Sequence, residues 1–458
     1  MKIKRRDFLR GAAGASGAVL LGGATRPIGA GLLPEHAGAA SLPPPEASGI
    51  DHIVVVMMEN RSFDHFLGWL PNADGRQAGL TYLDAAGAAH ETHPLAPDFT
   101  GCTHPDPDHS YEGGRVQYDG GAMDGFLRSG ENDEYAIGFY VEEDRPFYSA
   151  LARNFTTFDR SFCSILGPTF PNRLFLHSAQ TDRLSNTAAP AVMPTIWDRL
   201  AAAGVSAQYY FSNLPFLGLW GAKYVPISRL YSQFLLDAAA GNLPHVSFVD
   251  PGFTVPPDDS QNDDHPPADI RRGDAFLAQT FQAVANGPSW RNTVFIVTYD
   301  EWGGFFDHVA PPRATAPNGV DPDLVHGKAL LGFRVPTVVA SPFSRGTPDD
   351  PRVVGMTLDH TSILKLIEWR FGLDPLTARD ASRDVQNLAR ALKLRHPDAR
   401  VPILPAPEEP PQTPCLAVGE AEPLAGSAVR APDDATGSGN PWAGLRDSGL
   451  LAGWELPE

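Results

Sequence analysis

A short apolar run that stops abruptly in a polar cluster constrains this chain more than any other feature. Ile53 to Met58 is unbroken Ile-Val-Val-Val-Met-Met, and Glu59-Asn60-Arg61-Ser62 follows at once. Apolar residues without alternation suit a strand buried on both faces, as in a parallel sheet. Comparable runs recur at His245 to Val249, Thr293 to Thr298 and Val335 to Ala340. Between the runs, Pro194 to Ala203, Ile270 to Ala285 and Thr361 to Phe371 carry apolar residues at helical spacing. Strands alternating with helices predict an α/β fold with a mainly parallel sheet.

The rest of the chain is divided by composition. Residues 1–40 open with a basic stretch containing Arg5-Arg6, followed by Phe8-Leu9 and a Gly/Ala-rich run from Gly11 to Ala24. That run is too short for a membrane span, and basic-then-apolar order marks an export signal. The Arg-Arg-Asp-Phe-Leu order resembles the twin-arginine type, so passage through the Tat export machinery to the periplasm or the medium is expected. Residues 41–49 form a Pro-rich linker, residues 50–393 one large domain, and residues 394–458 a Pro-, Gly- and Ala-rich tail expected to be irregular. Leu80 to Asp144, rich in Gly, Asp and His, reads as long loops over the sheet edge. A formal net charge of -18 argues against nucleic acid or an anionic membrane surface as an attracted partner. Cys102, Cys163 and Cys415 allow one disulfide with one thiol left over, and the sequence does not choose the pair.

In open α/β sheets, ligands bind beyond the carboxyl ends of the strands. Two strands deliver a carboxylate with a neighbouring oxygen donor there: Glu59-Asn60 after the first, Asp300-Glu301 after the third. Such pairs suit a hard divalent cation, while Asn60 or Asp300 could equally cap a following helix. A third segment, Gly167-Pro168-Thr169-Phe170-Pro171-Asn172-Arg173, leads into a helical run. Thr169 there is either a plain N-cap or a group at an anion-favouring helix start, with Asn172 and Arg173 placed to hold phosphate oxygens. Among the histidines, His109, His265 and His308 sit in acidic loops, and His360 stands at a helix entry. The aromatic group Tyr209-Tyr210-Phe211, Phe216, Trp220 and Tyr224 is either a cage for a choline-type headgroup or ordinary core.

Four motifs in order, Glu59 to His65, Gly167 to Arg173, Asn262 to Pro267 and Tyr299 to His308, resemble the bacterial phosphoesterase family. That family holds phospholipases C and a branch of acid phosphatases within the alkaline phosphatase superfamily. The resemblance spans roughly Ile50 to Leu373 and implies an alkaline-phosphatase-like three-layer α/β/α catalytic domain. It implies one divalent metal ion held by Glu59, Asn60, Asp300 and Glu301, with the Thr169 hydroxyl as a further ligand and the nucleophile. Calcium, magnesium, manganese and iron all suit such oxygen donors. His109, His265 and His308 are then candidates to bind phosphate oxygens or protonate the leaving alcohol. Threonine at the nucleophile and Asp-Glu at the metal resemble the phospholipase C branch. The expected reaction is hydrolysis of phospholipid headgroup phosphodiesters through a phospho-threonine, with a broad-specificity acid phosphatase as the alternative.

Overall fold

The Ile53–Met58 run becomes the middle of a sheet because neither of its faces can be left in water. The computed structural model describes residues 42–254, 261–411 and 441–457, so the expected export signal lies outside the described residues. In chain order the central sheet comprises β1 (His52–Met58), β2 (Thr156–Phe158), β3 (Ala207–Phe211), β4 (Ser228–Leu230), β5 (Val246–Asp250), β6 (Thr293–Tyr299), β7 (Thr337–Ala340) and β8 (Arg352–Val353). Their spatial order is β8-β2-β7-β6-β1-β5-β3-β4. Only β7 runs against its neighbours, and the other pairings are parallel.

Successive residues of β1 point to opposite faces. Val54, Val56 and Met58 enter one core cluster, and Ile53, Val55 and Met57 enter the other. The helices are α1 (Phe63–Leu67), α2 (Tyr111–Tyr118), α3 (Pro146–Asn154), α4 (Thr169–Ser178), α5 (Ile196–Ala202), α6 (Tyr231–Ala240), α7 (Ile270–Ala285), α8 (Thr361–Phe371), α9 (Ala378–Ala381) and α10 (Pro441–Asp447). Helices α3, α6 and α7 cover the first face through Phe147, Phe234 and Phe281. Helices α4, α5 and α8 cover the second through Leu174, Ile196 and Leu364. The result is the expected three-layer α/β/α arrangement around a mainly parallel sheet.

The aromatic group at Tyr209–Tyr224 is core: Tyr209, Tyr210, Phe211, Phe216, Trp220 and Tyr224 are all buried, which leaves no cage for a headgroup. The Leu80–Asp144 region is largely loop, holding α2 and a short pairing of Thr81–Leu83 with Ala89–Glu91. Within the segment expected to be an irregular tail, α10 is a regular helix, because Trp442 and Leu445 bury their side chains in the second core cluster. Cys102 is disulfide-bonded, while Cys163 is a free, buried thiol. Among the described residues, no helix is long and apolar enough to cross a membrane.

Candidate active site

Register places the site. Strands β1 and β6 pair in parallel with Met58 opposite Tyr299, so Glu59-Asn60 and Asp300-Glu301 emerge side by side. β5 lies on the other side of β1 and ends at Asp250. The two carboxylate-bearing turns are cross-linked: Asp300 Oδ1 accepts the Asn60 N–H at 3.1 Å and the Glu301 N–H at 2.7 Å. Asn60 adopts φ 55°, a left-handed conformation that asparagine tolerates better than most residues. Gly303 (φ +64°) packs so closely on this turn that a Cβ would stand 2.2 Å from the Asn60 carbonyl oxygen. The capping alternative falls for Asn60, because Ser62 caps α1 by accepting the His65 N–H.

Helix α4 brings the third element. Thr169 is its first residue rather than the one before it, and Pro168 occupies the cap position. Arg173 lies one turn later on the same face. Its guanidinium meets Asp300 Oδ2 and Glu59 Oε1 at 3.2 Å each and Asp250 Oδ1 at 3.3 Å, and it also donates to the Met57 and Met58 carbonyls at 3.3 Å. Arg173 is thus committed to the carboxylates, which corrects its expected role as a phosphate fork: a buried guanidinium pairs with the charge nearest to it. Asn172 is likewise corrected. Its amide nitrogen donates to the carbonyls of Ile165, Gly167 and Pro168, and its Oδ1 accepts the Ile165 N–H, so it staples the loop before α4.

Electrostatics and hydrogen bonding both point to a cation. Thr169 Oγ1, both polar side-chain atoms of Asn60 and Glu301 Oε1 are buried without a hydrogen-bond partner among the described residues. Buried polar atoms are normally paired, and here hydroxyl, amide and carboxylate groups are left over together. Burial, then the charges of His109 and Asp300, leave the Glu301 carboxyl raised to about 8. Burial likewise raises Asp263 to about 7, and holds Glu59 well above its ordinary value despite Arg173. Carboxylates this crowded lack positive charge. Glu59, Asn60, Asp300, Glu301 and Thr169 supply hard oxygen donors that fit a divalent cation.

Two of the three expected histidines stand beside this group. His109 Nε2 lies 3.8 Å from Glu301 Oε1, and the His109 and His265 rings meet edge-on at 5.7 Å. Asp106 joins them, 3.7 Å from His265 Nε2. The Nδ1 atoms of His109 and His265 contact the carbonyls of Pro107 and Pro266, which leaves the His109 Nε2 toward Glu301 and the His265 Nε2 toward Asp106. Burial opposes a charge on His109, yet Glu301 and Asp106 raise it to about 9, whereas burial keeps His265 below its ordinary value. His308 is a correction. Its ring nitrogens engage Asp64 at 2.5 Å and Asp74 at 3.1 Å, in an ion cluster organised by Arg334. Its sequence neighbour Asp307 belongs to the same cluster, 2.9 Å from the Arg334 guanidinium. Three residues at the site carried no sequence signal of their own: Asp250, Asp106 and Trp442, whose indole N–H reaches both Glu59 oxygens at 3.1 Å.

The chain matches the model of the Phosphoesterase family over residues 50–374. It is 34% identical to phospholipase C B of Mycobacterium tuberculosis over 456 residues, covering 83% of this chain and 84% of that protein. It is also 34% identical to non-specific phospholipase C6 of Arabidopsis thaliana over 372 residues, covering 73% and 71%. Among solved structures, phosphonate monoester hydrolase of Agrobacterium radiobacter aligns at a TM-score of 0.37 and 13% identity, over 75% of this chain and 77% of that one. The chain therefore belongs to the phosphoesterase family. It is a hydrolase acting on phosphate esters, with a function of the phospholipase C kind.

Proposed function

We propose that this protein is an exported, metal-dependent phospholipase C that cleaves phospholipid headgroup phosphodiesters with Thr169 as nucleophile. The observation that carries the reading is the Thr169 hydroxyl. It is fully buried and has no hydrogen-bond partner among the described residues at the start of α4, one turn from the arginine that holds Glu59 and Asp300. A threonine hydroxyl is a weak nucleophile at neutral pH; Glu59, Asn60, Asp300, Glu301 and Thr169 would hold a divalent cation, which would supply the Lewis acidity to activate it and neutralise phosphate charge. Thr169 Oγ1 gives up its proton to solvent as it bonds to phosphorus, the bond to the diacylglycerol oxygen breaks, and a phospho-threonine still carrying the headgroup remains, which water hydrolyses to the phosphorylated alcohol and free threonine. His109, held protonated by Glu301 and Asp106, is suited to give the leaving oxygen its proton. His265, kept neutral by burial, is suited to take one from the attacking water.

Export is supported by the twin-arginine-like N-terminus, and the disulfide at Cys102 suits an oxidising compartment. The test is hydrolysis of p-nitrophenylphosphorylcholine beside p-nitrophenyl phosphate by purified protein supplied with divalent metal. Clear preference for the diester, followed by release of diacylglycerol from phosphatidylcholine, is the expected result. Preference for the monoester makes the protein a phosphatase on the same site.

A further inference from the structure

We infer that Trp442, delivered by the C-terminal helix α10, is a positioning residue that sets Glu59 for metal binding; the inference rests on the metal-centre reading above. The indole N–H donates to both oxygens of Glu59, at 3.1 Å each, across 383 residues of sequence. Trp442 is 1% exposed. Its ring stacks on Phe253 at 3.5 Å and 8°, and packs edge-on against Phe170, the neighbour of Thr169, at 5.4 Å. One side chain therefore fixes a carboxylate at the end of β1 and braces the helix start that carries the nucleophile.

The chemistry of the donor matters. Arg173 also reaches Glu59, at 3.2 Å, but a guanidinium competes with a cation for the same negative charge. An indole N–H is a neutral donor with no acceptor function, so it orients the carboxylate without cancelling its charge. It acts from outside the ligand set, as the partners of metal-bound carboxylates do. The aromatic stack closes that side of Glu59 to water. The C-terminal segment is thus part of the active site rather than an appendage to it.

Mn²⁺ titration of the full-length, metal-stripped protein by isothermal calorimetry tests this. Trp442→Phe keeps an aromatic ring on Phe253 and loses the N–H together with part of the indole's volume. It should bind Mn²⁺ about 10- to 100-fold more weakly, with a lowering of the thermal midpoint of the metal-free protein no greater than that in Phe253→Leu. Phe253→Leu loosens the same stack but leaves the N–H in place. It should lower the thermal midpoint with a much smaller loss of Mn²⁺ affinity. Equal Mn²⁺ affinity in Trp442→Phe and the parent overturns the inference and leaves the metal centre standing. A loss in Phe253→Leu as large as in Trp442→Phe also overturns it, since packing alone then explains the effect. A parent protein that binds none of Mn²⁺, Ca²⁺, Mg²⁺ or Fe²⁺ overturns the metal centre itself, and the role of Trp442 with it.

Discussion

Thr169 and Glu368 are both buried polar side chains, and they carry opposite expectations. The Thr169 hydroxyl has no partner among the described residues, so its removal breaks no hydrogen bond among them. Thr169→Ala should leave the thermal midpoint nearly unchanged while lowering kcat by about three orders of magnitude or more, as loss of a nucleophile does. Steady-state kinetics beside a melting curve checks both halves, and near-normal turnover sinks the mechanism. Glu368, in α8, is 5% exposed, and burial followed by its contact with Asp380 pushes its carboxyl from 4.5 up to about 9. A carboxyl held protonated in the fold stabilises fully below its unfolded value and loses that contribution as pH rises toward the folded value. Glu368→Gln mimics the protonated form without titrating. Its stability relative to the parent should therefore grow with pH, to about 1 kcal/mol or more near pH 8. Urea denaturation at about pH 5 and about pH 8 reads the difference, and a pH-independent difference refutes the assignment.

Single elements were readable from sequence where their pattern is local. The mainly apolar runs announce β1, β5, β6 and β7, and helical spacing announces α5, α7 and α8, because burial on one or two faces leaves a pattern in the sequence. Strands β2 and β8 span only Thr156–Phe158 and Arg352–Val353, too short to show a period, and they exist because their neighbours offer backbone partners. The turn after β6 is a different case. Its Glu301-Trp302-Gly303-Gly304 sequence was visible as chemistry, whereas the need for glycine lies in the approach of Gly303 to the Asn60 carbonyl. Gly303→Ala combines a positive φ with that contact. It should cost more than about 1 kcal/mol in chemical denaturation and lower kcat by displacing Asn60. Unchanged stability and activity together show that this turn does not hold the site.

At the scale of the molecule, a chain of net charge -18 collects Glu59, Asp250, Asp300 and Glu301 at the ends of three adjacent strands, with Arg173 reaching Glu59, Asp250 and Asp300 and His109 facing Glu301. Such a cluster is a standing electrostatic cost, which on the metal-dependent reading proposed above a divalent ion would offset. Stripping metal with a chelator should therefore lower the thermal midpoint, and restoring a divalent ion should recover it. The expected linkage is on the order of 3 kcal/mol at a hundredfold excess over the dissociation constant. Calorimetric melting with and without chelator measures it. A midpoint that ignores both treatments counts against the metal centre.

The sequence by itself determined the α/β class, the strand ends that carry Glu59-Asn60 and Asp300-Glu301, and the motif around Thr169, because each is a short-range pattern written by burial and turn chemistry. It also grouped His109 and His265 with acidic loops, and the folded chain brings His109 beside Glu301 with the His265 ring edge-on to that of His109. Only the tertiary structure decided which neighbours each polar group meets. It turned Arg173 toward three carboxylates, tied Asn172 to backbone, drew His308 into the Arg334 cluster and set Trp442 against Glu59. Those partners lie far apart in sequence, and their pairing follows from where packing buries charge, which no local pattern encodes.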